Sequence, residues 1–155
     1  MNQQQAYDHF FPEISQHGKI YKKYGLIYAY KADVNEFIET WTQDGLETTN
    51  YAKEGDFVVQ NLQTEFQEKY IVSEDMFFKR YKFFYYTDDG AVYIPTGKVK
   101  ATVYFGEDMH FVAKWGRLMV LKHGDYIVTP LPNEDEVYRI ARQEFFETYE
   151  EIDYL

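Results

Sequence analysis

Two aspartates recur in one setting. Lys53-Glu54-Gly55-Asp56-Phe57-Val58-Val59 and Lys122-His123-Gly124-Asp125-Tyr126-Ile127-Val128 share Lys, Gly, Asp, an aromatic residue and a closing Val. Two carboxylates brought to a common cleft would make a general acid–base pair, so Asp56 and Asp125 are the candidate catalytic residues. The same residues have a plainer reading. Gly takes positive φ without steric cost and Asp bonds its own backbone, so each phrase is a tight turn that launches a half-buried strand. A turn aspartate needs no partner, whereas a dyad needs closure of one segment on the other.

Other chemistry is thinly represented. The four histidines, His9, His17, His110 and His123, show no metal-ligand spacing, and no phosphate loop, nucleophile elbow or dinucleotide fingerprint occurs. No metal and no cofactor are expected. Candidate ligand-binding residues are His123, Trp41, Trp115 and Tyr126. Trp41, Trp115 and the tyrosine clusters could stack on a sugar or a base, and exposed tyrosine would also suit a protein partner, with core packing the simpler use of aromatics in strands. Trp115 and Tyr154 are the residues whose exposure would decide.

Composition narrows the classes. Sixteen basic and 26 acidic residues give a net charge of −10, which argues against nucleic acid and anionic membrane as partners. The excess serves solubility or a partner with a basic face. There is no cysteine, hence no disulfide and no thiolate chemistry. No apolar run reaches membrane-spanning length, and Met1 to Ala6 has no signal-peptide pattern. A soluble cytoplasmic protein is expected, monomeric or homodimeric, with a protein partner or a small-molecule ligand both open. Aromatics make up 20% of the chain, favouring β-structure.

The elements that must position these residues follow from periodicity. Residues 1–17 are expected as an N-terminal arm, helical or extended, docking Phe10 and Phe11. Lys19 to Lys31 alternates as strand around a break at Tyr24-Gly25. Val34, Phe37, Ile38 and Trp41 have helical spacing, so Asp33 to Asp44 is expected to be an amphipathic helix with Asp33 as cap and Glu36 completing a capping pair. Leu46–Lys53, Phe57–Leu62 and Lys69–Val72 read as strands. Ser73 is expected to cap a short helix with Phe77 and Tyr81 on one face. Lys82–Tyr86 is extended and Thr87-Asp88-Asp89-Gly90 turns a hairpin. Gly106–Lys114 reads as a turn or loop, and Pro130 and Pro132 as a loop or sheet edge.

From Val92 the first half returns. Ile20-Tyr21, Gly25 and Ala29 are echoed 72 residues later, Gly45 at 71, Gly55 at 69, and Phe77 and Tyr81 at 68. The spacing only falls, as small loop deletions in a second copy would make it do. Residues 18–86 and 90–155 are therefore expected to be two copies of one unit, packed face to face about a pseudo-twofold axis as one compact two-lobed domain. A unit of roughly 65 residues has a marginal core alone. The expected fold is α+β, mainly antiparallel strands with short helices.

The repeated unit resembles the small bacterial and phage domains named for a Pro-Gly-Asp-Tyr motif, the PGDYG-type family. The likeness is carried by Val99 and Ala101, Gly116, Gly124-Asp125-Tyr126, Phe145 and Tyr149. In the first copy it is carried by Ile27 and Ala29, Gly45, Gly55-Asp56-Phe57, Phe77 and Tyr81. Glu54 and His123 stand where the motif has proline. The resemblance implies a tandem duplication and brings no activity with it. The leading functional expectation is a non-catalytic binding or regulatory module. The alternatives are a small-molecule enzyme with carboxylates in a groove between the copies, and a protein-interaction factor.

Overall fold

The computed structural model describes residues 1–33 and 35–153, the side chain of Thr48 excepted. Val34 and Tyr154, which figure in the expectations above, lie outside them. The chain runs α1 (Gln3–His17), β1 (Lys19–Lys23), β2 (Ile27–Lys31), β3 (Phe37–Thr42), β4 (Gly45–Tyr51), β5 (Phe57–Asn61), β6 (Lys69–Val72), α2 (Glu74–Arg80), β7 (Tyr81–Thr87) and β8 (Gly90–Pro95). It continues through β9 (Lys98–Val103), β10 (Met109–Val112), β11 (Leu118–Leu121), β12 (Tyr126–Leu131), β13 (Tyr138–Ile140), α3 (Arg142–Thr148) and β14 (Tyr149–Ile152). This is an α+β fold of mostly antiparallel strands with three helices among the described residues. No helix among them is long and apolar enough to cross a membrane.

Two compact units form: a continuous one, residues 24–97, and a split one, residues 1–23 with 98–155. The continuous unit holds a five-stranded antiparallel sheet in the order β6-β5-β2-β8-β7. Ile27, Ala29, Phe57 and Val59 pack on one face against Phe77 of α2, with Tyr81, Val72 and Tyr93. The Phe57 and Phe77 rings stack at 4.2 Å. Ser73 stands at the start of α2, but its carbonyl does the work, accepting the Phe77 amide; its hydroxyl makes no capping bond.

The split unit has the order β13-β12-β9-β1-β14, again all antiparallel. Successive residues of β12 face opposite sides, as strand geometry requires. Ile127 joins Phe111, Leu121 and Val137 beneath α1, and Val128 joins Val99, Ala101 and Ile140 around Phe145 of α3. Residues 3–17 are thus no loose arm. Asn2 and Gln5 form a reciprocal capping box, and Ala6, Phe10 and Ile14, one helical face, are buried in that core. Phe11 remains half-buried, stacked on Tyr7.

The pairing registers follow the sequence spacings. Ala29 lies opposite Val59 and Ala101 opposite Val128; Ile27 lies opposite Tyr93 and Val99 opposite Tyr21. Phe57 lies opposite Val72 and Tyr126 opposite Ile140, while Tyr81 meets Pro95 and Tyr149 meets Lys23. The strand matched to β1 by the spacing of 72 is β8. Yet β1 pairs with β9 and β14, and β8 with β2 and β7. The compact units therefore differ from the segments 18–86 and 90–155 by one strand each: the first strand of each segment completes the sheet built from the rest of the other.

The helix expected over Asp33–Asp44 is instead a β-hairpin, β3 with β4, bulged between Thr40 and Trp41. Its alternation is inverted relative to polarity. Phe37, Glu39 and Trp41 are exposed, while Ile38, Thr40 and Thr42 are buried. Thr40 Oγ1 donates to the Lys69 carbonyl, and Thr42 Oγ1 accepts the Asp44 amide, so the buried hydroxyls are satisfied. The matching segment Gly106–Lys114 contains β10, which pairs with β11 as a second hairpin. Pro130 lies within β12 rather than in a loop. It pairs only toward β9, beyond the end of β13, where its missing N–H costs no ladder bond.

Candidate functional site

Both repeated aspartates are turn residues, with the same main-chain wiring. Gly55 and Gly124 take φ of +87° and +89°. Asp56 Oδ2 accepts the Lys53 amide and Asp125 Oδ2 accepts the Lys122 amide, each at 2.8 Å. Their carbonyls accept the amides of Ala32 and Tyr104, tying each turn to the end of the central strand, again at 2.8 Å in both. That wiring accounts for the recurrence of Gly, which supplies the positive φ, and of Asp, which accepts the turn amide; the aromatic that follows stacks on Phe77 in one unit and on Phe145 in the other.

Beyond the turn the two diverge. Asp56 is half-buried. Asp125 is fully buried and takes three further donors: Arg139 Nε at 2.8 Å on Oδ2, and the Arg142 amide at 3.2 Å and guanidinium at 3.3 Å on Oδ1. The pairing register sets Ile71 where the split unit has Arg139. A carboxylate enclosed by four donors is a structural ion-pair centre; it has no free lone pair directed at a ligand. Neither arginine was singled out from the sequence. Their spacing, i and i+3 shortly after the Gly-Asp turn, was the available signal.

The other candidates scatter. His123 is exposed, and its Nδ1–H donates to the Phe105 carbonyl at 2.9 Å. Tyr126 is half-buried, stacked on Phe145 at 3.7 Å with Tyr21 edge-on. It is a core residue. Trp115 occupies the tight turn between β10 and β11, half exposed, its ring edge-to-face with Tyr138 at 5.6 Å. Among the described residues no group of three or more His, Asp or Glu is placed to hold a metal.

Trp41 stands in different company. On the outer face of the β3–β4 hairpin the cross-strand pairs are Phe37 with Tyr51, Glu39 with Thr49 and Trp41 with Leu46. Phe37 and Trp41 are each 49% exposed and Tyr51 59%. The Phe37 and Tyr51 rings contact at 5.2 Å. A carboxylate is thus flanked along the strand by aromatic rings on both sides. From Asp33 to Tyr51 the chain carries five acidic residues and neither Lys nor Arg. Glu36 anchors the near end, accepting the Tyr30 hydroxyl and the Asp33 amide. Burial, then the bond to Glu36, push the Tyr30 phenol up to about 12. Helical spacing of Phe37 and Trp41 conceals Phe37 and Glu39 as surface residues in the sequence; Tyr51, on a segment legible as a strand, joins them only through the β3–β4 register.

No protein-family model, curated protein or solved structure matches the chain.

Proposed function

We propose that this protein is a non-catalytic binding module whose ligand is a basic polypeptide surface, held on the outer face of the β3–β4 hairpin. The observation that carries the reading is the combination of exposed Phe37, Trp41 and Tyr51 with Glu39 between them, in a segment free of cations. Aromatic faces attract Arg and Lys through their quadrupole, and adjacent carboxylates complete charge-assisted bonds. Trp and Tyr are also the residues that most often anchor interfaces. The acidic net charge would steer such a partner toward the molecule.

The test is a titration of a labelled arginine- and lysine-rich peptide followed by fluorescence anisotropy. The wild type is expected to bind in a salt-sensitive way. Trp41→Ala leaves the net charge untouched and is expected to weaken binding about tenfold, the loss typical of an anchoring aromatic. Trp115→Ala is expected to change nothing. Equal binding by wild type and both variants would mean that the affinity is a general property of an acidic chain and would overturn the proposal.

The same reading takes the chain as a tandem duplication of a PGDYG-like unit. Its support is the shared register of the two sheets and the identical wiring of the Asp56 and Asp125 turns.

A further inference from the structure

The two sheets end on strands that occupy the same place in the order, β7 in the continuous unit and β14 in the split one. An edge strand presents unpaired main-chain donors and acceptors, and proteins guard such edges with charge, short length or bulges. β14 is short and carries Glu150 and Glu151, the latter paired with Lys19 of the neighbouring strand at 3.3 Å. β7 is treated oppositely. It is seven residues long, Tyr81-Lys82-Phe83-Phe84-Tyr85-Tyr86-Thr87, and every residue from Lys82 to Tyr86 is exposed, Tyr86 to 77%. Its guards are one lysine and one bulge near Phe84. Four exposed aromatics in a row on a long edge are what a solvent-facing strand avoids.

We infer that β7 is an interface for a second copy of this chain, adding antiparallel to its own counterpart so that two five-stranded sheets join across a twofold axis. Charge decides both occupant and orientation. The strand is entered through Lys79, Arg80 and Lys82 and left through Asp88 and Asp89. A strand that begins basic and ends acidic complements itself only when reversed. With the twofold near Tyr85, Lys82 lies opposite Asp88 of the partner copy and Phe84 opposite its Tyr86. A parallel arrangement would set lysine against lysine. An antiparallel twofold contact is also the arrangement that closes, giving a dimer rather than a fibre.

The interface is modest. Four aromatics about half exposed per copy cover roughly 800–1,000 Å² in total, at the low end for a specific contact, so association is expected at micromolar concentration or weaker. β7 carries none of the residues assigned above to ligand binding, so loss of the dimer would leave the ligand face intact, and the reverse.

Sedimentation velocity on the full chain, from about 5 to 500 μM at physiological salt, tests it. The weight-average mass is expected to climb from 18.6 kDa toward twice that value. Lys82→Glu and Asp88→Lys are each expected to weaken the dimer at least tenfold, and the double variant to restore it. Glu150→Lys, on the other edge, is expected to leave it unchanged. Melting curves establish that each variant is folded; should Lys82→Glu not fold, Phe84→Lys takes its place, with the same expected loss. A wild type monomeric throughout, charge reversals without effect, failure of the double variant to recover, or dissociation by Glu150→Lys would each overturn the inference.

Discussion

Asp125 and Asp56 share a turn but not an energy. Removing a partner from a buried ion pair typically costs about 3–5 kcal/mol, because the remaining charge has lost its compensation. Removing one side-chain-to-backbone bond at a half-buried turn costs about 1 kcal/mol. Asp125→Ala is therefore expected to lower stability several-fold more than Asp56→Ala in urea denaturation. Equal losses would mean that Arg139 and Arg142 add nothing to the Asp125 turn. Tyr30 gives a second residue-scale prediction. Its phenol titrates about 12 in the folded chain against 10 when unperturbed. The neutral form is the one the fold favours, so its contribution is complete below about pH 10 and is lost as pH rises toward about 12. In a phenolate absorbance titration at 295 nm, Tyr30→Phe is expected to remove a late-titrating component near pH 12. Loss of a component near pH 10 would contradict the assignment.

Elements were legible where polarity and periodicity agreed. The break at Gly25 and the α2 face with Phe77 could be read directly, because Ile27, Ala29 and Phe77 are buried; the Asp88-Asp89 hairpin is legible from its Asp-Gly turn chemistry, although Phe83, Phe84, Tyr85 and Tyr86 of β7 before it are exposed. Strand β4 was legible too, but its partner β3 was not. Its inward positions are Thr40 and Thr42 and its outward ones Phe37 and Trp41, so hydrophobicity pointed to the wrong face and happened to satisfy helical spacing. The β-branched run Ile38, Thr40, Thr42 was the truer guide, since those side chains fit a pleated surface. This inversion hid the proposed binding face: aromatics facing solvent are what sequence patterning assigns to a core. The Asp125 ion pair was hidden for another reason, since Arg139 and Arg142 meet it only through the β12–β13 register. Helix α1 was underestimated because its mean polarity masks one buried stripe. Ile14→Ala is expected to cost about 2–5 kcal/mol, as for other filled core sites. A loss below about 0.5 kcal/mol, the range of an unconstrained surface change, would mean that α1 is not part of the core.

At the scale of the whole molecule, what matters is which strands complete which sheet. The sequence spacing groups β1 with β2 through β7, but β1 pairs in the split unit, and β8 is the strand that lies between β2 and β7. Residues 24–97 thus contain a whole five-stranded sheet, whereas residues 18–86 lack its fourth strand and leave β7 with no neighbour. The direct measurement is to express both fragments and record amide dispersion and urea unfolding for each. The 24–97 fragment is expected to give a dispersed spectrum and a cooperative transition, and 18–86 neither. A folded 18–86 beside an unfolded 24–97 would contradict the account.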